Sequence, residues 1–397
     1  MANISNILDQ AQETLEAERA WRRREGYPLN FFWGGQNQPT MEDALRAAPS
    51  AGSAVRRILQ SELYAHFAPD NLVNESIDWH LQAFRTLGLD LSVLAPAVEE
   101  SELFPASQTR VREGRRLSPD FFRHLYVAHL AVRLVPRGRK RTRILELGAG
   151  SGKVGSLHKQ IAGPSTYFIC DIAETLVFAR LYLSIHHPES KMLWVREAAD
   201  LSRPDLDSFD WVFVPVMHAA AMRPDSFDLF MNFHSLGEFD NAAIRYWMRW
   251  LQGESRPAHI LVCNRYLNMM SEATHGFRLG ENEASVSFDH RWRPLIWEVE
   301  PRHLRCPFIR TMQSRYLLFG AKAEALQSPE VRRKESERAI ALAQGMNVWR
   351  AYTDGPPTSF RRRMLAHDLT MSGALFHLWN AVRLDASLAS LTALTQY

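Results

Sequence analysis

The sequence predicts an α/β protein built on a doubly wound, mostly parallel sheet, with helical additions at both ends. Three observations predict it. From residue 141 to about residue 320, short apolar runs alternate with segments of helical period. A glycine cluster, "GAGSG" (148–152), stands between the first apolar run and the helix pattern after it. Before residue 117 and after residue 324 the periodicity is helical instead.

The elements follow in order. Ile4, Ile7, Leu8, Ala11 and Leu15 fall at helical spacing and open the chain with an amphipathic helix. An aromatic loop, "YPLNFFWGG" (27–35), comes next, and further helical patterns run from about Met41 to about Leu87. "LSPDFFRHLYVAHLAVRLVP" (117–136) starts with Ser118 as N-cap, Pro119 in the first turn and Asp120 beside it. "RILELG" reads as the first strand, and Val154, Leu157 and Ile161 line the helix after the glycines. "TYFICD" (166–171) is the second strand, with a helix ending at "HHPES".

Two runs qualify as the third parallel strand, "KMLWVREA" (191–198) and "DWVFVPVM" (210–217), the second being more continuously apolar. "DLFMNF" (228–233) and "HILVCN" (259–264) are short apolar strands of the kind buried on both faces, with Ile244, Trp247, Met248 and Leu251 marking a helix between them. "PLIWEVE" (294–300) and "SRYLLFGAKA" (314–323) read as late strands at one edge. The expected organisation is a helical cap or arm over 1–117, an α/β domain over 118–323, and a helical extension over 324–397 broken by "TDGPPTS" (353–359).

Composition narrows the function classes. At 397 residues, 46% apolar and 23% charged, the chain is an ordinary globular sequence of two or three packed units. The net charge is +3 and the basic runs "RRREG", "RGRKRTR" and "FRRRM" are short and scattered, so no nucleic-acid partner is expected. Cys170, Cys263 and Cys306 are too few and too scattered for a disulfide framework or a metal knuckle. The polar N-terminus has no signal-peptide core and no segment approaches the ~20 apolar residues of a membrane span. A cytoplasmic protein with no membrane partner is expected.

The glycine turn discriminates among ligands. A triphosphate loop needs G-x-x-x-x-G-K-[ST], but Leu147 stands where the first glycine belongs and Val154 where the hydroxyl belongs. Gly148 and Gly150 fit the dinucleotide G-x-G-x-x-G, but Lys153 replaces its third glycine. What is present is Glu146-x-Gly148-x-Gly150-x-Gly152 between a strand and a helix, with Asp171 ending the next strand 21 residues after Gly150. This pattern resembles the glycine motif of class I S-adenosylmethionine-dependent methyltransferases. Small residues leave the cofactor room, Glu146 can face its ammonium side, and Asp171 can accept both ribose hydroxyls.

A second motif refines the resemblance. "NFHSLGEF" (232–239) carries Asn232, Ser235 and Glu238 just past the fourth strand, where an open parallel sheet faces its ligand crevice. It is similar to the "N-x-x-S-x-x-E-M" of the sugar O-methyltransferase family, with Phe239 in place of the methionine. "CDIAETL" (170–176) resembles that family's "VDLPE-x-L", and "CNR" (263–265) its fifth-strand ending. The resemblance covers roughly residues 141 to 320. It implies a seven-stranded Rossmann-like sheet, S-adenosyl-L-methionine as cofactor, and a small sugar or glycosylated metabolite as acceptor. The implied cofactor contacts are Glu146, Gly148, Ala149, Gly150, Gly152, Asp171, Ile172, Val214, Asn232 and Phe233.

Methylating a hydroxyl needs a base, because the hydroxyl is a poor nucleophile at neutral pH. His234 is the first candidate, since an imidazole titrates near about 6.5 and this one faces the crevice. Glu238 would orient the ring or hold a substrate hydroxyl, and His218 is the rival base. Asp171, Glu238 and Asp240 are acidic, but no cluster has tight ligand spacing, so no metal is expected. The aromatics of "NFFWGG", Trp292 and Trp297 suit stacking on a sugar ring, though core or interface is the commoner fate. The helical ends leave room for a homo-oligomer. Open alternatives are a non-sugar natural product as acceptor, a non-methylating reaction with the cofactor bound, or an inactive interaction protein.

Overall fold

A computed structural model of the chain describes residues 4–25, 41, 43–45, 47–61, 73–86, 91–94, 97–134, 141–236, 239, 241–253, 255–265, 292–299 and 315–322. The chain opens with α1 (Ile4–Glu25), α2 (Ala51–Gln60) and α3 (Val73–Thr86). A short antiparallel hairpin follows, β1 (Arg110–Arg112) and β2 (Arg115–Leu117), at the end of what read as a helical cap or arm. Its turn explains the difference. Glu113 and Gly114 both take positive φ, 52° and 73°, which is the backbone of a tight two-residue hairpin loop.

Helix α4 (Pro119–Leu134) begins where the sequence placed it, with Phe121 N–H donating to Ser118 Oγ at 3.0 Å. The alternation of strand and helix then runs β3 (Thr142–Leu147), α5 (Lys153–Ala162), β4 (Ser165–Asp171), α6 (Ala173–His186), β5 (Met192–Trp194), β6 (Trp211–Pro215), β7 (Leu229–Phe233), α7 (Asn241–Leu251), β8 (His259–Arg265), β9 (Trp292–Val299) and β10 (Arg315–Lys322). The sheet order is β5-β6-β4-β3-β7-β8-β10-β9. Neighbours from β5 to β8 pair in parallel, and β10 runs antiparallel to both β8 and β9.

The sheet is therefore doubly wound, mostly parallel and Rossmann-like, as expected, with eight strands among the described residues where seven were expected. Both runs that competed for the third position are strands. The longer one, β6, pairs with β4, and the three-residue β5 adds to its outer edge.

Each central strand is buried on both faces, and the two-residue alternation of side chains sorts its residues into two cores. Ile144, Tyr167, Ile169, Phe213 and Met231 join Phe121, Phe122, Leu157, Leu176 and Phe178 of α4–α6 on one face. Leu145, Phe168, Cys170, Val212 and Phe230 join Ile244, Trp247 and Leu251 of α7 on the other. The N-terminal arm belongs to the first core, since Ile7, Ile58, Ile77 and Leu117 are buried in it. The chain winds from β3 outward to β4 on one side and returns to β7 on the other. The C-terminal ends of β3 and β7 thus flank the switch point where such sheets hold their ligands. The C-terminal extension and the aromatic loop lie outside the described residues. No helix among the described residues is long and apolar enough to cross a membrane.

Candidate active site at the sheet's switch point

The turn leaving β3 is built on left-handed glycines. Gly148, Gly150 and Gly152 have φ of 69°, 58° and 75°. Gly148 N–H donates to Cys170 O of β4 at 2.8 Å, tying the turn to the neighbouring strand. A β-carbon on Gly148 would fall on Ser235 Oγ and Cβ. One on Gly152 would meet Leu183 Cδ1 of α6 at 3.0 Å. Gly148 is thus required by the fold's own packing, and Gly152 by its left-handed backbone in a tight space, where the sequence suggested only room for a ligand. Gly150 has a different neighbour: its N–H points to Asp171 Oδ2 at 3.4 Å.

Asp171 ends β4 half-buried, and its Oδ1 accepts from Ile172 N–H at 2.8 Å. A carboxylate set at the C-terminal edge of β4, beside a glycine N–H, is the donor–acceptor set that a ribose diol requires. Ala149, Gly150, Asp171 and Ile172 are brought together there. Glu146 lies behind the turn, nearly sealed, and its Oε2 accepts from Tyr167 OH at 2.7 Å. Burial pushes its carboxyl up to about 8, against the lowering effect of the Tyr167 bond. Val214 is wholly buried in the second core, so its side chain packs within the sheet.

Asn232 and Ser235 have a structural part that the motif did not disclose. Asn232 Nδ2 donates to Leu147 O at 2.9 Å and to Ser235 Oγ at 2.5 Å, and Asn232 Oδ1 accepts from Leu236 N–H at 3.1 Å. Ser235 Oγ donates to Leu147 O at 3.0 Å. Both side chains bolt the turn after β7 onto the end of β3. Phe233 ends β7 and His234 follows it in that turn. His234 takes φ 68°, an uncommon backbone for a residue with a side chain, and its N–H donates to Cys263 O at 2.7 Å. Glu238 and Asp240 lie outside the described residues. His218 follows β6, two strands out from β3, and is half-buried beside the backbone of Arg196; burial lowers its pKa.

A buried ionic cluster supports the glycine turn from below. Lys153, the first residue of α5, donates from Nζ to Glu100 Oε2 at 2.6 Å and to Asp120 Oδ2 at 3.2 Å, and lies over the Phe104 ring at 4.5 Å. Where a dinucleotide fold needs a third glycine, this chain has a lysine because two acids from the arm and α4 receive it. Asp120 continues the cluster to Arg123, whose Nη2 is 2.6 Å from Oδ1, and to His124. Burial opposes ionisation of Asp120, but Arg123, His124 and Lys153 outweigh it and hold its carboxyl well below the usual range.

The arm packs against the segment that follows Asp171. Glu18 of α1 accepts from Ala173 N–H, at the start of α6 and two residues past Asp171, at 3.0 Å. Trp194 Nε1 donates to Thr14 Oγ1 at 3.0 Å, and Arg22 Nη2 pairs with Glu174 Oε1 at 3.0 Å. Burial pushes the Glu18 carboxyl up to about 8. Sequence reasoning missed Glu18, Glu100, Asp120 and His124. For the last two a signal existed: Asp and His four apart on one face of a helix, beside its N-terminus.

No protein-family model matches the chain, and no curated protein matches it in sequence. Solved structures resembling it include the pyocyanin biosynthetic protein PhzM, 15% identical with a TM-score of 0.32, over 52% of this chain and 56% of that one. The mitomycin 7-O-methyltransferase MmcR is 12% identical with a TM-score of 0.32, over 69% and 74%. TrmK of M. capricolum, in complex with S-adenosyl-homocysteine, is 11% identical with a TM-score of 0.31, over 66% and 98%. The chain thus matches little more than half the length of the first. Likenesses this distant carry no functional weight, and the fold stands on the strand order of the sheet itself.

Proposed function

We propose that the chain is an S-adenosylmethionine-dependent O-methyltransferase acting on a hydroxyl of a sugar or glycosylated metabolite. One observation carries the cofactor: the left-handed glycine turn brings Gly150 N–H to the Asp171 carboxylate at the C-terminal edge of the sheet. In this reading Asp171 holds the ribose hydroxyls, and the glycine turn borders the methionine end. The bound cofactor supplies a methyl group already activated on a sulfonium, so the protein's part is alignment and proton removal. His234, from the turn after β7, contacts the acceptor, and Glu238, four residues on in sequence, is the candidate to orient its ring or hold a substrate hydroxyl.

The sugar rests on the resemblance of Asn232, Ser235 and Glu238 to a family motif. Asn232 and Ser235 hold the turn, and this favours a second reading in which the acceptor is a hydroxylated metabolite without a sugar. Methyl-labelled S-adenosylmethionine, offered with a panel of glycosides and a panel of phenols, separates the two. Label on glycoside hydroxyls supports the first reading, and label confined to phenols supports the second. No transfer to either, with S-adenosylhomocysteine bound, overturns both.

A further inference from the structure

On α4, His124 faces the end of β7. Its ring meets the Phe233 ring edge-on, with centroids 5.2 Å apart and planes at 66°. Nδ1 lies 2.8 Å from Asp120 O and 3.1 Å from Asp120 Oδ2. Two oxygen acceptors at Nδ1 require the hydrogen there, which leaves the Nε2 lone pair as the basic site. Both polar contacts of the ring are made at Nδ1, and the side chain keeps 14% of its surface exposed. An imidazole fixed at one nitrogen by a carboxylate and open at the other has the arrangement of a general base.

The charges facing it are balanced. Asp120 and Glu100 are the acids; Arg123, which also lies over the Phe233 ring at 5.0 Å, and Lys153 are the cations. His234 lies on the other side of that contact, its ring 4.1 Å from the Phe233 ring. Burial lowers the pKa of His124, against the raising effect of Asp120, and the net lowering favours the neutral ring.

We propose that His124, oriented by Asp120, takes the proton of the acceptor hydroxyl during methyl transfer, a role that rests on the methyltransferase reading of the crevice. The acceptor O–H bond breaks toward His124 Nε2 as the oxygen bonds the methyl carbon. The sulfur keeps the electron pair of the broken S–C bond and leaves as a neutral thioether. The imidazolium formed is stabilised by Asp120 and returns its proton to water. Asp120 is the positioning residue and His124 the catalytic one. His234 is then a contact to the acceptor.

The test needs no acceptor. Histidine-labelled full-length protein is titrated by nitrogen NMR in two complexes, one with S-adenosylhomocysteine and one with sinefungin, which carries an amine where the transferred methyl sits. His124→Gln identifies the resonance. A charged amine within ~6 Å of the ring should depress the His124 titration by about one pH unit or more relative to the other complex. His218, two strands out, should move far less. Superimposed His124 titrations with both ligands bound overturn the proposal while leaving the cofactor reading intact. If neither ligand binds, the cofactor reading fails first and the proposal falls with it. Asp120→Asn should lower the His124 titration in the free protein and release its Nδ1–H tautomer. An unchanged ring in that variant would deny Asp120 its orienting part, and the comparison of complexes in the native chain does not depend on that variant folding.

Discussion

Ser235 stands where a β-carbon on Gly148 would have to go. The close approach, with the φ of 69° at Gly148, locks the turn after β7 onto the turn after β3. Gly148→Ala should therefore cost about 2–4 kcal/mol, combining a left-handed alanine with overpacking. Ser235→Gly in the same chain should recover part of the loss by vacating the space. Urea denaturation of the two singles and the double measures the coupling, and strict additivity would show that the residues do not compete for one position.

Two acids give stability a definite pH dependence. Glu18 and Glu146 are both pushed up to about 8 by burial, above their ordinary value of 4.5. The folded chain binds more protons than the unfolded chain between those values. Stability contributed by these groups is thus present at low pH, falls as pH rises from about 4.5, and levels off above about 8. Glu146→Gln keeps an acceptor for Tyr167 OH and removes the ionisation. Its melting temperature should gain on the native protein's as pH goes from 5 to 8. A constant difference across that range would contradict the burial of an ionisable group there.

Lys153 tests the cluster beneath the glycine turn. Lys153→Met leaves Glu100 and Asp120 buried with their shared cation gone, and breaking such a pair costs about 3–5 kcal/mol. Denaturant unfolding at neutral pH would show it. A loss below about 1 kcal/mol would place the cluster at the surface in solution.

The N-terminal arm carries part of the core as well as part of the site. A chain starting at residue 118 would lack Glu100 beneath Lys153, Glu18 at the start of α6, and the buried Ile7, Ile58 and Ile77. Such a chain should fail to unfold cooperatively. Circular dichroism against temperature checks this, and a sharp transition in the truncated chain would make the arm a separate cap.

What was legible in the sequence came from local rules. The glycine turn, Asp171, the Ser118 cap and the apolar strands each follow from backbone geometry or side-chain period within a few residues. The hairpin at Arg110–Leu117 was missed because only its turn, at Glu113 and Gly114, is diagnostic and its strands are three residues each. The competition between residues 191–198 and 210–217 had no local answer, since both became strands and only sheet order separates them. Lys153 looked like a failed glycine because its partners, Glu100 and Asp120, are 53 and 33 residues away. Asn232 and Ser235 were visible as a motif, but their bonds to Leu147 cross 85 and 88 residues.

The central claim is that the crevice beside Gly150 and Asp171 holds S-adenosylmethionine, and calorimetric titration with S-adenosylhomocysteine tests it most directly. The account predicts binding in the micromolar range, weaker by about 2–5 kcal/mol in Asp171→Ala through loss of two charge-assisted hydrogen bonds, with no comparable heat from NAD or ATP. Tight binding of NAD with no response to S-adenosylhomocysteine, or an Asp171→Ala chain that binds as the native one does, would contradict it.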